Sequence, residues 1–360
     1  MSRGLAEAFP AGEILADELE ERGWTQAEFA EILGRPTQFV SEIIAGKKEI
    51  TRESASQIAA ALGTSAEFWL NLQDQYHLWR QAQDEGIQAG LTDVRRRARM
   101  NELAPIGILR QRGLVRGTTL DDQEEDLKRL LGIASLDDEP QFMAAARKTD
   151  AGAPLSHLQA AWVAVVRNAA AACQVAAYDA GALEALGAGL TRCLRQPSDF
   201  SHLPRRFAEV GVRLVYVEAF PSSKMDGCSL LHADGSPVIG ISGRGKRMDK
   251  VLFTILHEAA HVVLGHLDHD EYIVDDQDDT PAGGLEGPAN ELAADWVLPA
   301  ALPRVPERLG RDWLDSVAQT LGIHPIVLIG RLQNEGRIPW RTTLVKGAPS
   351  VTRELEAWGS

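Results

Sequence analysis

The sequence predicts an α+β fold that is mainly helical, and three observations lead to this prediction. Short amphipathic segments separated by turn residues fill the first eighty positions at helix-turn-helix spacing, which predicts an N-terminal five-helix bundle. Apolar residues then recur with helical periodicity, which predicts a helical middle region. Two strand-like runs followed by an apolar helix predict a C-terminal domain with a small β-sheet. The predicted domains are residues 1–80, 81–203 and 204–345, followed by a tail at 346–360.

Composition restricts the classes of protein to which the chain can belong. Its 360 residues suffice for two or three domains, and a hydrophobic content of 44% indicates a globular chain rather than a disordered one. Three cysteines without paired spacing argue against a disulfide framework, and no run approaches the roughly 18 apolar residues that a membrane span needs. We therefore expect a cytoplasmic protein without a membrane partner. The net charge of −14 repels DNA except at a locally basic patch.

The first eighty residues carry helix start signals at regular intervals. Thr25 is predicted to cap the second helix, with Glu28 at the capping-box position, and residues 34–36 form the turn into the third helix. Thr51 and Ser65 are the predicted starts of the fourth and fifth helices. This spacing is typical of a DNA-binding helix-turn-helix module, which places one helix in the major groove.

The third helix has one apolar side and one polar side. Val40, Ile43 and Ile44 form the predicted buried side, so that Gln38 and Ser41 face outward. A glutamine side chain can pair with an adenine edge, a serine hydroxyl can contact a base or a phosphate, and basic side chains can hold the DNA backbone. The predicted DNA contacts are Arg35, Thr37, Gln38, Ser41, Lys47, Lys48 and Arg52. An alternative is that the bundle docks a protein rather than DNA.

Two short segments of this module, Gly46-Lys-Lys-Glu-Ile-Thr51 and Phe68-Trp-Leu70, carry a family resemblance. With them, residues 10–79 resemble the xenobiotic-response-element class of DNA-binding domains, and most of all the antidote (antitoxin) repressors of plasmid-maintenance systems. The resemblance implies double-stranded operator DNA as a partner and a toxin as a possible further partner. A homodimer is expected as well, because helix-turn-helix modules usually read two half-sites about 34 Å apart.

The segment His257-Glu258-Ala-Ala-His261 has the spacing of a metal-binding helix. On an α-helix, residues four apart lie on one side, so that both imidazoles can bind one ion while Glu258 reaches a water molecule bound to it. Apolar residues around the segment recur at helical spacing, and Gly265 supplies a stop. The pattern is typical of zinc hydrolases in which the glutamate acts as general base, and such a site needs a third ligand.

The third ligand is sought in a downstream segment that contains two pairs of polar residues at helical spacing. The apolar stripe of this helix places Glu286 and Asn290 on its border, whereas Glu291 and Asp295 fall on the opposite side. Glu286 is therefore the predicted metal ligand. Asn290 is predicted to accept a hydrogen bond from the free N–H of a ligand histidine. Glu291 and Asp295 are expected to be solvent-facing charges.

From residue 205 to residue 340 the chain resembles the ImmA/IrrE family of metallopeptidases. In that family an HExxH helix is followed by a Glu-xxx-Asn segment that ends in an apolar residue and a proline. Here these elements are residues 257–261, Glu286 with Asn290, and Val297-Leu-Pro299, while Pro288 departs from the usual pattern. The resemblance implies a gluzincin-like peptidase domain that hydrolyses peptide bonds. Zn²⁺ is the expected metal, and Mn²⁺ or Fe²⁺ can occupy the same ligands.

Several features near the predicted site are open to more than one interpretation. The strand at residues 237–242 is expected to pair with an extended substrate. Tyr272 and His324 are candidates for stabilising an oxyanion, although a loop aromatic and a packing histidine are the simpler interpretations. Cys228 is a candidate inhibitory thiolate at the open metal position. His266 is expected to be a surface residue on the opposite side of the helix from the ligand pair.

These patterns support two main hypotheses about function. In the first, a DNA-binding transcriptional regulator carries a metallopeptidase domain that cleaves the regulator itself or a partner regulator. In the second, the chain is a non-enzymatic antidote-type repressor whose C-terminal domain senses a ligand or binds a toxin. The intact general base Glu258 favours the first hypothesis. A metalloenzyme that acts on small molecules is a third alternative, and it does not explain the helix-turn-helix module.

Overall fold

The computed structural model describes residues 8–138, 140, 155–267, 273–275, 285–298, 302, 304–306 and 309–359. The chain divides into two compact units, Met1–Arg97 and Ala98–Ser360. The predicted boundary at residue 80 falls within a helix, Ala66–Gln83. Residues 98–203, which the sequence assigns to a separate middle region, belong to the same compact unit as the residues that follow them.

Five helices occupy the first unit before residue 84, as the spacing of start signals predicts. They are α1 (Ala11–Arg22), α2 (Gln26–Leu33), α3 (Thr37–Ile44), α4 (Arg52–Leu62) and α5 (Ala66–Gln83). The predicted capping box is present, since Thr25 Oγ1 accepts from Glu28 N at 3.2 Å and Glu28 Oε2 accepts from Thr25 N at 2.7 Å. Thr51 and Ser65 cap α4 and α5 as predicted.

A close contact between α1 and α3 organises the bundle. A Cβ atom at Gly12 would overlap the backbone of Ile43 and Ile44, so that only glycine lets the two helices approach this closely. Phe29 and Trp69 fill the centre of the bundle and are fully buried. The exposed side of α3 is thereby held opposite to the core, where a partner molecule can reach it.

The second unit combines helices with a small sheet, and the first helix after α5, residues 85–103, begins in the first unit and ends in the second. The helices after α5 are α6 (Glu85–Leu103), α7 (Ile106–Gln111), α8 (Leu120–Leu131), α9 (His157–Ala171), α10 (Ala180–Cys193), α11 (Leu203–Glu209), α12 (Met248–Val263), α13 (Glu286–Val297), α14 (Arg311–Leu321), α15 (Pro325–Asn334) and α16 (Thr352–Glu356). The strands are β1 (Arg213–Tyr216), β2 (Gly227–Leu231), β3 (Pro237–Ile241) and β4 (Ile273–Asp275). The mainly helical α+β architecture agrees with the prediction.

Within the described residues the sheet has the strand order β1-β3-β2-β4. β3 is parallel to β1 and antiparallel to β2, and β2 also pairs with β4. The prediction that β3 pairs with an extended substrate is therefore wrong, because both edges of β3 already carry a neighbouring strand. Apolar pattern identifies a strand, but the order of strands depends on long-range pairing that the pattern does not contain.

Helices cover both faces of the sheet. On one face Leu214 and Ile239 belong to a core that includes the apolar side of α12. On the other face Val215 and Val238 pack with Trp162 of α9. Burial on both faces fixes β2 and β3 firmly against α12, the helix that carries the HExxH segment. No helix in the described part of the chain is long and apolar enough to cross a membrane.

Candidate metal centre and nucleic-acid interface

The outward side of α3 presents the polar residues that the sequence predicts. Thr37 and Gln38 are exposed, and Ser41 is half-buried one turn further along. Gln38 Nε2 donates to Glu42 Oε1 at 2.8 Å, and Ser41 Oγ donates to the carbonyl of Gln38 at 3.0 Å. The opposite side of the helix is buried, as predicted. The side chains proposed to read bases thus lie together on one accessible face.

Basic residues flank this face. Arg35 is half-buried, with Nε donating to Gln57 Oε1 at 3.1 Å and the guanidinium paired with Glu53. This arginine therefore already has a carboxylate partner within the module. The other predicted phosphate contacts are exposed: Lys47, Lys48 and Arg52.

The HExxH segment lies in α12, with His257 and His261 one turn apart. Their Nε2 atoms are 3.0 Å from each other. Glu286, the first residue of α13, places Oε2 at 3.2 Å from His257 Nε2 and Oε1 at 3.5 Å from His261 Nε2. The three predicted ligands therefore converge, with one donor atom of each within 4.8 Å of the others.

This donor set has the chemistry that a divalent metal ion requires. Both imidazoles are buried, and the Glu286 side chain is 19% exposed. Burial lowers the pKa of His261, which favours the neutral imidazole that can bind a metal. Burial raises the pKa of Glu286, but hydrogen bonds from His257 and His261 outweigh it and hold that pKa at about 2. Two histidine side chains and a carboxylate are a usual ligand set of hydrolytic metal sites.

The carboxylate of Glu258 is held by strand β2. Glu258 is fully buried, and its Oε2 accepts a hydrogen bond from Ser229 Oγ at 2.6 Å. Gly227 supplies the space for this arrangement, because a Cβ atom there would lie 2.5 Å from Glu258 Oε1. The strand therefore sets the position of the Glu258 carboxylate, the predicted general base.

Comparison with known proteins distinguishes the same two regions. Residues 15–69 match the profile of a family described as Helix-turn-helix, and residues 210–333 match that of the IrrE N-terminal-like domain. An uncharacterized HTH-type transcriptional regulator of Haemophilus influenzae is 35% identical over 85 residues, which are 23% of this chain and 79% of that protein. The chain belongs to the helix-turn-helix transcriptional regulators.

The N-terminal module of the regulator is also similar to antitoxins. Antitoxin HigA-1 of Vibrio cholerae is 44% identical over 69 residues, which are 19% of the regulator and 65% of the antitoxin. The solved addiction module antidote protein of a HigA family from Coxiella burnetii is 36% identical, and the match covers 23% of the regulator and 90% of that chain with a TM-score of 0.22. The resemblance is confirmed in both parts: an antidote-like helix-turn-helix module is joined to an IrrE N-terminal-like domain.

The structure does not bring Asn290 to the ligand histidines. This residue is exposed one turn beyond Glu286. Residue spacing predicts which side of a helix a residue lies on, but it does not predict which turns of that side contact a neighbouring helix. The imidazole beside His261 is that of His266, with the two Nδ1 atoms 3.0 Å apart. The expectation that His266 lies on the opposite side is wrong. The helix ends at Val263, and Gly265, with φ of +70°, turns the chain back toward His261.

Other predicted positions agree with the simpler interpretations. Glu291 and Asp295 are exposed, as expected for solvent-facing charges. His324 caps α15, where its Nδ1 accepts a hydrogen bond from the backbone two residues on at 3.1 Å. Tyr272, the other candidate for oxyanion stabilisation, lies outside the described residues, and so does Pro299.

Cys228 does not face the candidate metal centre. Successive residues of a strand point to opposite faces of the sheet, and the next residue, Ser229, contacts Glu258. Cys228 is fully buried in the apolar core on the other face. Burial raises the pKa of its thiol well above the usual value. The hypothesis of an inhibitory thiolate therefore has no support in the geometry.

The regulator thus has two site residues, Gly227 and Ser229, that the motifs do not identify. Ser229 and Glu258 are 29 positions apart in the chain and meet only through the packing of β2 on α12. The one local signal is a glycine at the start of a strand, which often marks a close backbone approach. Such a signal does not name the partner, so only the structure links these residues to the general base.

Proposed function

We propose that the regulator binds operator DNA through its N-terminal module and hydrolyses a peptide bond, in itself or in a partner regulator, through its C-terminal domain. The observation that supports the peptidase activity is the convergence of His257, His261 and Glu286, together with the buried carboxylate of Glu258, the residue that follows His257 in α12. A purely structural metal site has no use for a general base at this position.

Zn²⁺ is the metal that we assign to these three ligands, and Mn²⁺ or Fe²⁺ would fit the same donors. When bound, the metal lowers the pKa of a water molecule and polarises the substrate carbonyl. His266 would orient the ring of His261 through the contact between their Nδ1 atoms, which leaves His261 Nε2 to bind the metal. This positioning role replaces the one predicted for Asn290.

Glu258 is the proposed general base. Its carboxylate takes the proton of the attacking water and passes it to the nitrogen of the leaving amine. Ser229 keeps the carboxylate in place by donating to Oε2, and Gly227 leaves room for it. Because the carboxylate is fully buried, bulk water is excluded and the electrostatic interactions that guide the proton transfer are strengthened.

The DNA-binding part of the proposal rests on the exposed side of α3. Gln38 is proposed to read an adenine and Ser41 a base or a phosphate. The exposed cations Lys47, Lys48 and Arg52 would contact the phosphate backbone, where they offset the acidic character of the whole chain. A homodimer would present two copies of α3 to successive turns of the groove.

A second function is favoured by the similarity of the N-terminal module to antitoxin HigA-1. In this alternative the protein is a non-enzymatic repressor whose C-terminal domain senses a ligand or binds a toxin. The metal would then be structural. Copurification with a small basic toxin, together with no metal-dependent cleavage, would favour this function.

The deciding experiment compares intact masses of the full-length parent and of Glu258→Gln after incubation with Zn²⁺, with and without DNA. The variant is suitable because the amide keeps an oxygen that can accept from Ser229. A fragment formed by the parent alone supports the peptidase proposal, whereas equal fragmentation of both proteins excludes it. In a mixture of the two, cleavage of the variant chain shows that the reaction occurs between molecules. Zinc content equal to that of the parent is the control for folding of the second unit, and unchanged DNA binding is the control for the first unit.

A further inference from the structure

A cavity of about 300 Å³ in the second unit borders the part of α12 that lies one helical turn before His257. Phe253 lines the cavity, and its ring stacks on the ring of His257 with 6.1 Å between their centroids. Thr254 lines the cavity as well, and its methyl group lies against Gly227, the glycine that borders Glu258. A group held in the cavity would therefore contact one residue that stacks on a candidate metal ligand and another that contacts the glycine beside Glu258.

Apolar side chains from three different elements form much of the wall. Phe253 comes from α12, Val297 from α13 and Val327 from α15, while Trp340 follows α15. The two valines are almost fully buried, whereas Trp340 is 57% exposed. The cavity therefore has buried apolar side chains on part of its wall and an exposed aromatic residue as well.

The arginines and carboxylates around the cavity are paired within the protein. The pairs are Arg244 with Asp226 at 3.1 Å, Arg331 with Glu335 at 2.7 Å, and Arg247 with Asp249 at 2.5 Å. Because each of these charges already has an oppositely charged neighbour in the protein, the ligand does not need a charged group to compensate it. The uncharged part of the wall, which includes the apolar side chains together with Thr254 and Asn334, is then what contacts the ligand.

Lys250 differs from the paired charges. Its side chain is exposed, and its ammonium lies 5.5 Å from the centre of the Trp340 ring, where it makes a cation–π contact. A positive charge at this position repels a second cation that approaches the cavity. Lys250 therefore disfavours the binding of lysine and arginine side chains in the cavity.

We propose that this cavity receives a bulky apolar side chain of the substrate, on a residue next to the cleaved bond, and that Lys250 excludes basic side chains from it. This assignment rests on the peptidase function proposed above. Removing the surface of a leucine or phenylalanine side chain from water favours binding by roughly 10- to 100-fold over glycine. The volume is ample for one such side chain.

The first test maps cleavage by the zinc-loaded, full-length protein. A bacterial proteome digested after glutamate serves as the peptide library, and mass spectrometry identifies the bonds that are cut. We expect a bulky apolar residue at one position beside the cut. Ala294→Phe places a ring at the cavity wall and should shift the preference to glycine, alanine and serine. Asp295→Phe, an equal change at the exposed neighbouring position of α13, should leave the preference unchanged.

A parent without such a preference, or Ala294→Phe with the parent's preference, would overturn the assignment of the cavity. Peptides that are cut without preference would leave the peptidase proposal standing. The cavity and the peptidase proposals can therefore fail separately.

The second test measures binding without cleavage. Peptide hydroxamates with a phenylalanyl, glycyl or lysyl side chain are titrated calorimetrically into the zinc-loaded, full-length Glu258→Gln protein. We expect the phenylalanyl compound to bind at least about 10-fold more tightly than the glycyl one, and the lysyl compound to gain affinity only in Lys250→Ala. Ala294→Phe should remove the difference. Equal affinities for the three compounds, or no binding, would overturn the proposal. Tighter binding of the phenylalanyl compound without any peptide cleavage would support the assignment of the cavity and refute the peptidase function.

Discussion

Ser229 Oγ lies 2.6 Å from Glu258 Oε2, and both side chains are fully buried. Hydrogen bonds to charged groups are shorter and stronger than those between neutral groups, above all away from water. The contact links strand β2 to the helix that carries two metal ligands. β2 is thus part of the candidate active site as well as part of the sheet.

Ser229→Ala is expected to lower the rate of peptide cleavage by roughly 10- to 100-fold, because Glu258 loses the donor that holds it. Zinc content should stay the same, since Ser229 is not a ligand. Cleavage kinetics and metal analysis measure the two quantities. Ser242→Ala is the matched control, because it removes another buried hydroxyl, one that donates to Met225. Equal loss of activity in both variants would contradict the positioning role.

Gly227→Ala is expected to abolish cleavage while zinc remains bound. The added methyl group would lie 2.5 Å from Glu258 Oε1, so that the carboxylate has to leave its position. Gly189→Ala is the control, because a Cβ atom there has nothing within 4 Å. Cleavage rates decide between the variants, and an active Gly227→Ala protein would show that the position of Glu258 is not critical.

His266→Ala is expected to weaken zinc binding by roughly 10- to 100-fold, as is usual when the residue that orients a ligand histidine is removed. Asn290→Ala should have no effect, because Asn290 is exposed away from the histidines. Competition with a chromophoric chelator gives both affinities. If Asn290→Ala weakened zinc binding and His266→Ala did not, Asn290 would orient the ligand histidine, as the sequence predicts, and the positioning role of His266 would be refuted.

Gln38→Ala and Lys47→Ala are expected to change DNA binding in different ways. Loss of a base contact should cost about 1–3 kcal/mol on the selected operator and little on random DNA. Loss of a phosphate contact should weaken binding to all sequences and reduce the slope of log affinity against log salt by about 1. Fluorescence anisotropy on an operator selected from a random library, at several salt concentrations, separates these outcomes.

Caps and periodicity predict the parts of this molecule that depend on neighbours in sequence. The capping box of Thr25 and Glu28 fixes where α2 begins, and the apolar stripe of α13 singles out Glu286 rather than Glu291. Both predictions use the geometry of one helix, which is nearly the same in every protein. The structure accordingly places these residues where the sequence expects them.

Predictions that depend on distant parts of the chain are less successful. The interior place of β3 and the contact of Ser229 with Glu258 arise from strand pairing and from packing of the sheet on α12. His266 is misplaced for a different reason, because helical angles no longer apply after Gly265 reverses the chain. Local pattern therefore identifies the candidate metal ligands and Glu258, and tertiary contacts identify the residues that hold them.

Cys228 and Ser229 point to opposite faces of the sheet, so the register of β2 decides which of the two side chains faces Glu258. A slip of one residue against β3 would turn the thiol toward Glu258 and bury the hydroxyl among apolar side chains. An insertion or deletion in the turn at residues 232–236, well away from the histidines, could therefore inactivate the centre while every motif residue is retained. Related proteins would therefore keep the proposed activity only if the length of this turn is conserved together with the motif side chains.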